Sequence, residues 1–275
     1  MFAAVQRRVS RGLNVIRSFA LLPSAEPHVR AVLKSIDAAG LDDLRVKYAG
    51  DPDFRNGRKY LRSAWYLREN VVRALTLGLK DSSPLRVLDI GSGAGYFLLA
   101  CRHFGHEGIG VDLPGKPFYA DMFRLLGLHR VEAAVMPKQP LREVAGTFDL
   151  ITAFAVTFDR LRSGRDAPRW TAAEWDFFLD DMRRLLRPGG RLFLRLNLHD
   201  VRGLHDRQEY AVFYRPVPGF SVRVLNRREI SFVRTDSARA ESVQTDGGRE
   251  QGAPKEPAAA FHGGGPSLSM PESAS

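Results

Sequence analysis

Glycines follow a short apolar run in the stretch VLDIGSGAGYF, which spans residues 87–97. They stand at alternate positions: Gly91, Gly93 and Gly95. Residues without a Cβ atom permit positive φ angles and let a ligand approach the backbone closely. A strand that turns through such a loop into a helix also directs the amides of the helix N-terminus at that ligand. The stretch therefore predicts a binding loop between a strand that ends near Asp89 and a helix that begins near Tyr96.

A second acidic residue lies where a nucleoside ligand would need it. The stretch GIGVD has the apolar character of a second strand and ends in Asp112, 17 residues after Gly95. At the end of that strand a carboxylate commonly accepts hydrogen bonds from ribose hydroxyls. The glycine loop and Asp112 together indicate a ligand that contains a nucleoside.

Asp89 distinguishes between two kinds of nucleoside ligand. A dinucleotide such as NAD or FAD carries a pyrophosphate, and its loop usually reads GxGxxG, whereas this loop reads GxGxG. A carboxylate just before the glycines would repel a phosphate and attract an ammonium or sulfonium group. S-adenosylmethionine has both cations and no phosphate, so the charge pattern favours S-adenosylmethionine over a dinucleotide.

Several motifs, in order along the chain, resemble those of the class I S-adenosylmethionine-dependent methyltransferases. VLDIGSGAGYF looks like their first motif, and GIGVD looks like their second. FDLITAF resembles the motif of the fourth strand, and LLRPGGRLFL resembles the turn that leads into the fifth. The resemblance covers roughly residues 60–235. It implies an α/β fold of Rossmann-like type: a seven-stranded, mostly parallel sheet whose last strand is antiparallel, with helices on both faces.

The resemblance also implies roles for individual residues. The residues that would bind S-adenosylmethionine are Asp89, Gly91, Ser92, Gly93, Gly95, Asp112, Leu113, Met136 and Phe154. Asp89 and the glycine loop would hold the methionine part, and Asp112 would hold the ribose. Residues 134–136 would flank the adenine, although this stretch lacks the acidic residue that many relatives have there. Phe154 would lie at the end of the fourth strand, near the methyl group.

The acceptor is expected to be a small molecule, methylated at oxygen or nitrogen. Aromatic residues such as Tyr60, Trp65 and Tyr119 flank the first two strands and favour an apolar or aromatic acceptor. An alcohol or phenol acceptor benefits from a general base. His199 follows the fifth strand and Asp159 follows the fourth, so they are the catalytic candidates. The alternatives are an RNA or protein acceptor and a non-catalytic scaffold that binds S-adenosylmethionine.

Two kinds of nucleic-acid base methylation are disfavoured by the sequence after the fourth strand, which reads TAFAVTFD. Methylation at C5 of pyrimidines usually needs a cysteine nucleophile there, but the only cysteine is Cys101, in the predicted helix after the glycine loop. Methylation of exocyclic amines on DNA usually needs an Asn/Asp-Pro-Pro-aromatic run after the fourth strand, and this stretch does not contain one. Neither the single cysteine nor the spacing of the histidines predicts a metal site.

The predicted elements that position these residues alternate between strand and helix. The strand candidates are LRVLDI, HEGIGVDL, HRVEAAV, FDLITAFAV and GRLFLRLN. Alternation of this kind predicts parallel pairing with helical crossovers. Thr171 and Glu174 have the spacing of a capping box, at the start of a helix that ends at RPGG. FSVRVLNRREISFVR predicts a hairpin near the end of the fold.

The chain divides by composition into regions with different expected structures. Residues 1–80 are expected to form an N-terminal helical extension or lid, and residues 81–235 the domain that binds S-adenosylmethionine. Residues 236–275 are expected to be a disordered tail, since Gly, Pro, Ser and Ala make up 23 of these 40 residues.

The net charge of +10 is concentrated near the N-terminus, where residues 1–80 hold 15 basic and 7 acidic residues. Residues 1–22 contain no acidic residue and place apolar residues at helical spacing. Such a helix would dock on the protein's own core, contact an anionic membrane surface peripherally, or serve as an organelle transit peptide. We expect a cytoplasmic protein, with organelle targeting as the alternative.

Overall fold

The structure, a computed structural model, describes residues 21–51, 57–156, 158, 170–197 and 208–236. The helices in these ranges are α1 (Leu22–Lys34), α2 (Ala38–Lys47), α3 (Ser63–Thr76), α4 (Tyr96–His103), α5 (Pro117–Leu125) and α6 (Ala172–Leu185). The strands are β1 (Arg86–Ile90), β2 (Glu107–Asp112), β3 (His129–Glu132), β4 (Phe148–Val156), β5 (Leu186–Leu196), β6 (Phe220–Val224) and β7 (Glu229–Arg234). Short 3-10 helices span Arg58–Leu61, Leu79–Asp81 and Gln208–Tyr214.

The strands form one seven-stranded sheet in the order β3-β2-β1-β4-β5-β7-β6. β1 to β5 pair in parallel, and β7 runs antiparallel to both β5 and β6. This arrangement confirms the predicted Rossmann-like sheet. The chain moves outward from β1 to β3 and then returns to place β4 on the other side of β1. The carboxyl ends of β1 and β4 therefore flank the point where the strand order reverses, which is where ligands bind in such sheets.

Apolar side chains are buried on both faces of the sheet. On one face, Val87 of β1 and Leu150 of β4 pack with residues of α1, α3, α4 and α5. On the other face, Leu88 and Ile151 pack with α6 and with the 3-10 helix Gln208–Tyr214. Because successive side chains of a strand point to opposite faces, the central strands are mostly apolar on both faces, with Asp89 and Thr152 as buried polar exceptions. Helices cover both faces, as the sequence predicted.

The helix ends follow local sequence signals. The Thr171 hydroxyl accepts a hydrogen bond from the Glu174 amide, and the Glu174 carboxylate accepts one from the Thr171 amide, so the predicted capping box is confirmed. The α6 helix ends at Leu185, before RPGG. β5 begins earlier than predicted, at Leu186, and its pairing with β4 shifts register between Phe148 and Leu150. The predicted hairpin is confirmed as β6 and β7.

The α3 helix packs with a different face from the one that its aromatic residues suggest. Leu67, Val71 and Ala74 are fully buried, whereas Trp65 is 58% exposed. Small and aliphatic residues let α3 lie close to α1 and α4, and the bulky indole is left at the surface beside Tyr66.

Some predictions concern residues outside the described ranges: the helix over residues 1–20, the tail beyond residue 236, and the candidate bases His199 and Asp159. Cys101 lies within the described ranges, in α4 as predicted, and is fully buried. Among the helices that the structure describes, none has the length and apolar character needed to cross a membrane.

Candidate functional site

The glycine loop joins β1 to α4 beside the carboxyl end of β4. Its glycines all adopt positive φ angles: +70° at Gly91, +55° at Gly93 and +80° at Gly95. This backbone region is disfavoured for residues that carry a Cβ atom. The sequence prediction of a sharp strand-to-helix turn at these positions is therefore confirmed, and Gly95 is the residue that precedes the first turn of α4.

The loop glycines differ in what surrounds them. A Cβ atom on Gly91 would lie 2.4 Å from Cγ2 of Val156, and one on Gly95 would lie 2.9 Å from Leu128. A Cβ atom on Gly93 would meet nothing closer than the Tyr60 hydroxyl, at 3.6 Å. A side chain at Gly91 or Gly95 would thus force a neighbouring side chain to move, whereas at Gly93 the nearest neighbour, Tyr60, lies at van der Waals distance.

An irregularity at the end of β4 brings Val156 over the loop. Phe154 pairs with Arg195 and Val156 pairs with Leu196, and Ala155 between them has a φ angle of +56°. Bulges of this kind redirect side chains and are frequent beside functional sites. The contact between Val156 and Gly91 follows from this local change in the strand.

Most amides of the loop already have partners within the chain. The Gly91 and Ser92 amides donate to the Val111 carbonyl, at 2.7 and 3.1 Å, and the Gly95 amide donates to the Ser92 carbonyl at 3.0 Å. The Gly93 amide donates to Oδ2 of Asp112 at 2.6 Å. The loop therefore offers a ligand fewer donors than its sequence suggests.

Asp112, at the end of β2, is fixed beside the loop by hydrogen bonds to both carboxylate oxygens. Besides the Gly93 amide, the Leu113 amide donates to Oδ1 at 2.8 Å. Burial raises the pKa of Asp112, while these amides and the Arg130 guanidinium oppose the rise. A carboxylate has about four lone-pair sites, so two amide donors leave room for the two hydroxyls of a ribose.

Arg130 is a residue that the sequence did not single out. Its side chain is 5% exposed and pairs with Glu132, and it donates a hydrogen bond to the Leu113 carbonyl at 2.8 Å. Arg130 therefore holds the segment that carries Asp112 and Leu113. An arginine inside a short strand gives no signal of this role, since the contact depends on the pairing of β2 with β3.

Asp89 is almost completely buried on the sheet face covered by α3 and α4. It is 3% exposed, and Oδ1 accepts a hydrogen bond from the Thr152 hydroxyl at 2.7 Å. Burial raises the pKa of Asp89 to about 7, although Thr152 and the Arg73 guanidinium act in the opposite direction. The carboxyl group is therefore about half ionised at neutral pH, rather than fully charged as the sequence argument assumed. Thr152 was not predicted, and it follows from the parallel register that pairs it with Asp89.

Phe154 lies on the same sheet face as Asp89, near the end of β4. Its ring centroid is 4.8 Å from that of Phe97 and 5.6 Å from that of Phe193. The Arg73 guanidinium lies 4.8 Å above the same ring. Arg73 is itself held by Glu69 through an ion pair. Phe154 thus packs under α3 near the carboxyl end of β4, where the resemblance placed it.

Four tyrosines contact one another and are here called the tyrosine layer: Tyr60, Tyr66, Tyr96 and Tyr119. One of them, Tyr60, lies against the glycine loop. The ring centroid of Tyr60 lies 4.8 Å from that of Tyr66 and 5.7 Å from that of Tyr119. The Tyr96 hydroxyl donates a hydrogen bond to the Tyr60 carbonyl at 2.6 Å. Tyr60 and Tyr119, which the sequence singled out, are thus in contact with each other, whereas Tyr96, which anchors Tyr60, was not predicted.

The remaining candidates lie around this centre. Leu113 and Met136 are half-buried and follow β2 and β3. The Ala133 amide donates to the Asp112 carbonyl at 3.0 Å, so the segment leading to Met136 runs beside Asp112. Among the described residues, no group of three or more His, Cys, Asp or Glu side chains is arranged to hold a metal ion.

Comparisons with known proteins identify one matching family. The sequence model of a family described as a methyltransferase domain matches residues 59–227. No curated protein matches the chain significantly.

Solved structures with a similar arrangement include several methylating enzymes. CalS10, an amino pentose methyltransferase from Micromonospora echinaspora solved with S-adenosylmethionine bound, is 17% identical, with a TM-score of 0.42, over 63% of this chain and 96% of its own. The N-methyltransferase NodS from Bradyrhizobium japonicum WM9 is 18% identical, with a TM-score of 0.40. The match covers 62% of this chain and 96% of NodS. A ribosomal protein L11 methylase from Lactobacillus delbrueckii subsp. bulgaricus is 17% identical, with a TM-score of 0.39. The match covers 62% of this chain and 80% of the methylase.

Proposed function

The chain belongs to the methyltransferase domain family, and on that premise we propose that it methylates an oxygen or nitrogen atom of a small-molecule acceptor. Its cofactor is S-adenosylmethionine. S-adenosylmethionine supplies a methyl group on a positively charged sulfur, which a nucleophilic oxygen or nitrogen attacks in line. The leaving group is already good, so much of the rate depends on how the chain positions the reactants and excludes water.

The residues around the glycine loop fit this cofactor. The side of Gly93 on which a Cβ atom would lie is bounded by the Tyr60 side chain, not by backbone, and the unused lone pairs of Asp112 suit ribose hydroxyls. We assign Asp112 to the ribose, the glycine loop with Asp89 to the methionine part, and Leu113 and Met136 to the adenine. Phe154 lies on the sheet face under α3 and is assigned to the floor beneath the methyl group.

A small acceptor is supported by one observation above all: Tyr60, in the tyrosine layer, lies against the glycine loop. Tyr60 and Tyr66 come from the segment before β1, and the Tyr60 hydroxyl is 3.6 Å from the position of a Cβ atom on Gly93. Because side chains of the protein itself cover the site, an acceptor small enough to be enclosed is favoured. The phenol rings favour an apolar or aromatic acceptor, because they supply apolar surface with a polar edge.

The need for a general base depends on the acceptor atom. A neutral amine attacks without prior loss of a proton, whereas an alcohol or phenol attacks faster when a base removes its proton. His199 and Asp159 follow the ends of β5 and β4 in the sequence, and we retain them as proposed bases on that ground.

Incubation with labelled S-adenosylmethionine tests the proposal. A cell extract is separated into small molecules, RNA and protein, and each fraction is incubated with the purified chain. We expect label in the small-molecule fraction, together with release of S-adenosylhomocysteine. Label in the RNA or protein fraction would instead identify a macromolecular acceptor. Binding of S-adenosylmethionine without transfer to any fraction would indicate a scaffold.

Affinity for S-adenosylmethionine is expected to rise with pH and to level off above about 8, because the cationic cofactor favours the ionised form of Asp89, whose pKa is raised to about 7. Below the pKa, each pH unit is expected to reduce affinity by up to about tenfold. In the ligand-free chain the raised pKa of Asp89 contributes to the stability of the fold at low pH. This contribution is lost as the pH rises from the ordinary pKa of an aspartate toward the raised pKa of about 7. Isothermal titration calorimetry at several pH values, in two buffers, measures affinity and proton release together.

The control for this pH dependence is Asp89→Asn, which keeps the shape of the side chain but does not titrate. Its affinity should be lower at high pH and should not vary with pH in the same range. Equal pH dependence in the wild type and in Asp89→Asn would show that a different group is responsible.

A further inference from the structure

Two phenol hydroxyls, from Tyr60 and Tyr119, lie next to the predicted cofactor position. A Cβ atom on Gly93 would be 3.6 Å from the Tyr60 hydroxyl and 3.7 Å from Cζ of the same ring. The Tyr119 ring stands edge-to-face with the Tyr60 ring, at a centroid distance of 5.7 Å and an angle of 79°. The Tyr60 hydroxyl therefore lies beside Gly93, and the Tyr119 ring stands against the Tyr60 ring.

The position of Tyr60 does not depend on its own hydroxyl. The Tyr96 hydroxyl holds the Tyr60 carbonyl at 2.6 Å, and Tyr96 is buried in the first turn of α4. The ring of Tyr66 contacts Tyr60 on one side and stacks on Tyr96 at 6.1 Å. A phenylalanine at position 60 would keep these contacts and would lose only the hydroxyl and its hydrogen bond with Tyr119.

The Tyr119 hydroxyl remains protonated and has a proton to donate. Burial raises the pKa of Tyr119, and the neighbouring Tyr60 and Asp112 raise it further. Two hydroxyls carry two protons, and an interaction between them uses one of these. At least one proton is therefore available to an acceptor on a ligand.

One cation lies beside Tyr60, while the Asp112 carboxylate acts on the neighbouring Tyr119. The Lys59 ammonium, on an exposed side chain, lies 5.0 Å from the centre of the Tyr60 ring. The amides of Gly91, Ser92 and Gly93 already donate to Val111 and Asp112 and do not supply further hydrogen bonds. The only full negative charge on S-adenosylmethionine is the carboxylate of its methionine part, which needs donors from elsewhere.

We propose that the Tyr60 hydroxyl donates a hydrogen bond to the methionine carboxylate of the cofactor, with Tyr119 acting as a positioning residue that orients the Tyr60 hydroxyl. This inference rests on the cofactor placement proposed above. It assigns a contact to the segment before β1, outside the glycine loop and the end of β2. Tyr60 then both covers the site and distinguishes a ligand with a carboxylate from one without.

Isothermal titration calorimetry with two ligands tests the assignment. S-adenosylmethionine carries the carboxylate, and 5′-methylthioadenosine lacks the amino-acid part. We expect Tyr60→Phe to lower affinity for S-adenosylmethionine by about tenfold or more, the range for a hydrogen bond to a charged group. Affinity for 5′-methylthioadenosine should stay within about twofold of wild type, since no contact to the nucleoside is lost. Equal losses for the two ligands, or no loss for either, would overturn the proposal.

Further variants separate the roles within the pair. Tyr119→Phe should lower affinity for S-adenosylmethionine by less than Tyr60→Phe, and it should have no added effect when Tyr60 is already phenylalanine. Tyr48→Phe removes a hydroxyl that bonds to Asp121, at 2.7 Å, and should leave both affinities unchanged. An additive effect of the two main variants would overturn the positioning role of Tyr119.

The outcome also distinguishes this inference from the proposed function. If the wild-type chain does not bind S-adenosylmethionine, the cofactor placement itself is wrong. If the wild type binds and Tyr60→Phe binds equally well, the placement stands and only the role of Tyr60 is wrong. Thermal unfolding of each variant checks that it is folded, and the two-ligand comparison on Tyr119→Phe decides the question if Tyr60→Phe does not fold.

Discussion

Replacing Gly93 with valine is expected to abolish binding of S-adenosylmethionine. The φ angle of +55° at Gly93 is unfavourable for a β-branched residue. The added methyl groups would also extend from a Cβ atom that already stands 3.6 Å from the Tyr60 hydroxyl, and so would fill the space between the glycine loop and Tyr60. Isothermal titration calorimetry measures the loss, and thermal unfolding shows whether the fold persists.

The matched control is Gly105→Val. Gly105 follows α4 with a φ angle of +85°, and a Cβ atom there would meet nothing within 4 Å. The two substitutions impose a similar backbone cost, but only one of them faces the ligand. Gly105→Val should therefore lose stability and keep its affinity. A folded Gly93→Val chain with unchanged affinity would show that the cofactor does not lie against Gly93.

Replacing Asp112 with alanine is expected to weaken binding of S-adenosylmethionine by roughly 1–3 kcal/mol, through the loss of charge-assisted hydrogen bonds to the ribose. Part of the effect comes from the loop, because the Gly93 and Leu113 amides lose their acceptors. Asp112→Asn keeps one acceptor oxygen, so its affinity for S-adenosylmethionine should lie between those of Asp112→Ala and the wild type. Calorimetric titration of the three proteins measures the series.

Asp149→Asn is the control for this series. The Asp149 carboxylate also accepts a backbone hydrogen bond, from the Arg86 amide at 2.8 Å, but at the opposite end of the parallel strands. Its replacement should change stability without changing affinity. If Asp112→Ala folds and binds as tightly as wild type, the assignment of Asp112 to the ribose is wrong.

The central strands and the loop between them were predictable because their signals are local. FDLITAFAV gives the bounds of β4 as they occur, Phe148–Val156. The positive φ angles of the loop glycines follow from the need for a sharp turn between β1 and α4. The capping box at Thr171 and the hairpin of β6 and β7 likewise depend on residues close together in sequence.

The contacts that complete the site depend on residues far apart in sequence. Thr152 reaches Asp89 only because β1 and β4 pair in one particular register, and Tyr96 reaches the Tyr60 carbonyl across 36 positions of the chain. Gly110 is a similar case, because a Cβ atom there would lie 2.5 Å from Phe123 and 2.6 Å from Ser92. No local pattern carries such information, so the sequence indicated where the site lies but not how its side chains interlock.

The charge of Asp89 shows a different limit. From the sequence this residue is a carboxylate at the tip of a strand, and the argument for a cationic ligand treated it as ionised. Burial depends on what α3 and α4 place over the strand, and it raises the pKa of Asp89 to about 7. The preference for a cation therefore depends on pH, which a list of residue types does not reveal.

The hydrogen bond between Gly93 and Asp112 has a consequence for the way in which the cofactor enters. The Gly93 amide and the Asp112 carboxylate hold each other in place through a contact within the chain, so we expect binding there to require little rearrangement. The Tyr60 hydroxyl stands 3.6 Å from the position of a Cβ atom on Gly93, so we expect entry of the cofactor to require movement of the Tyr60 side chain. We expect association rates to respond to changes that loosen the Tyr96 anchor far more than to changes in the strand that carries Asp112.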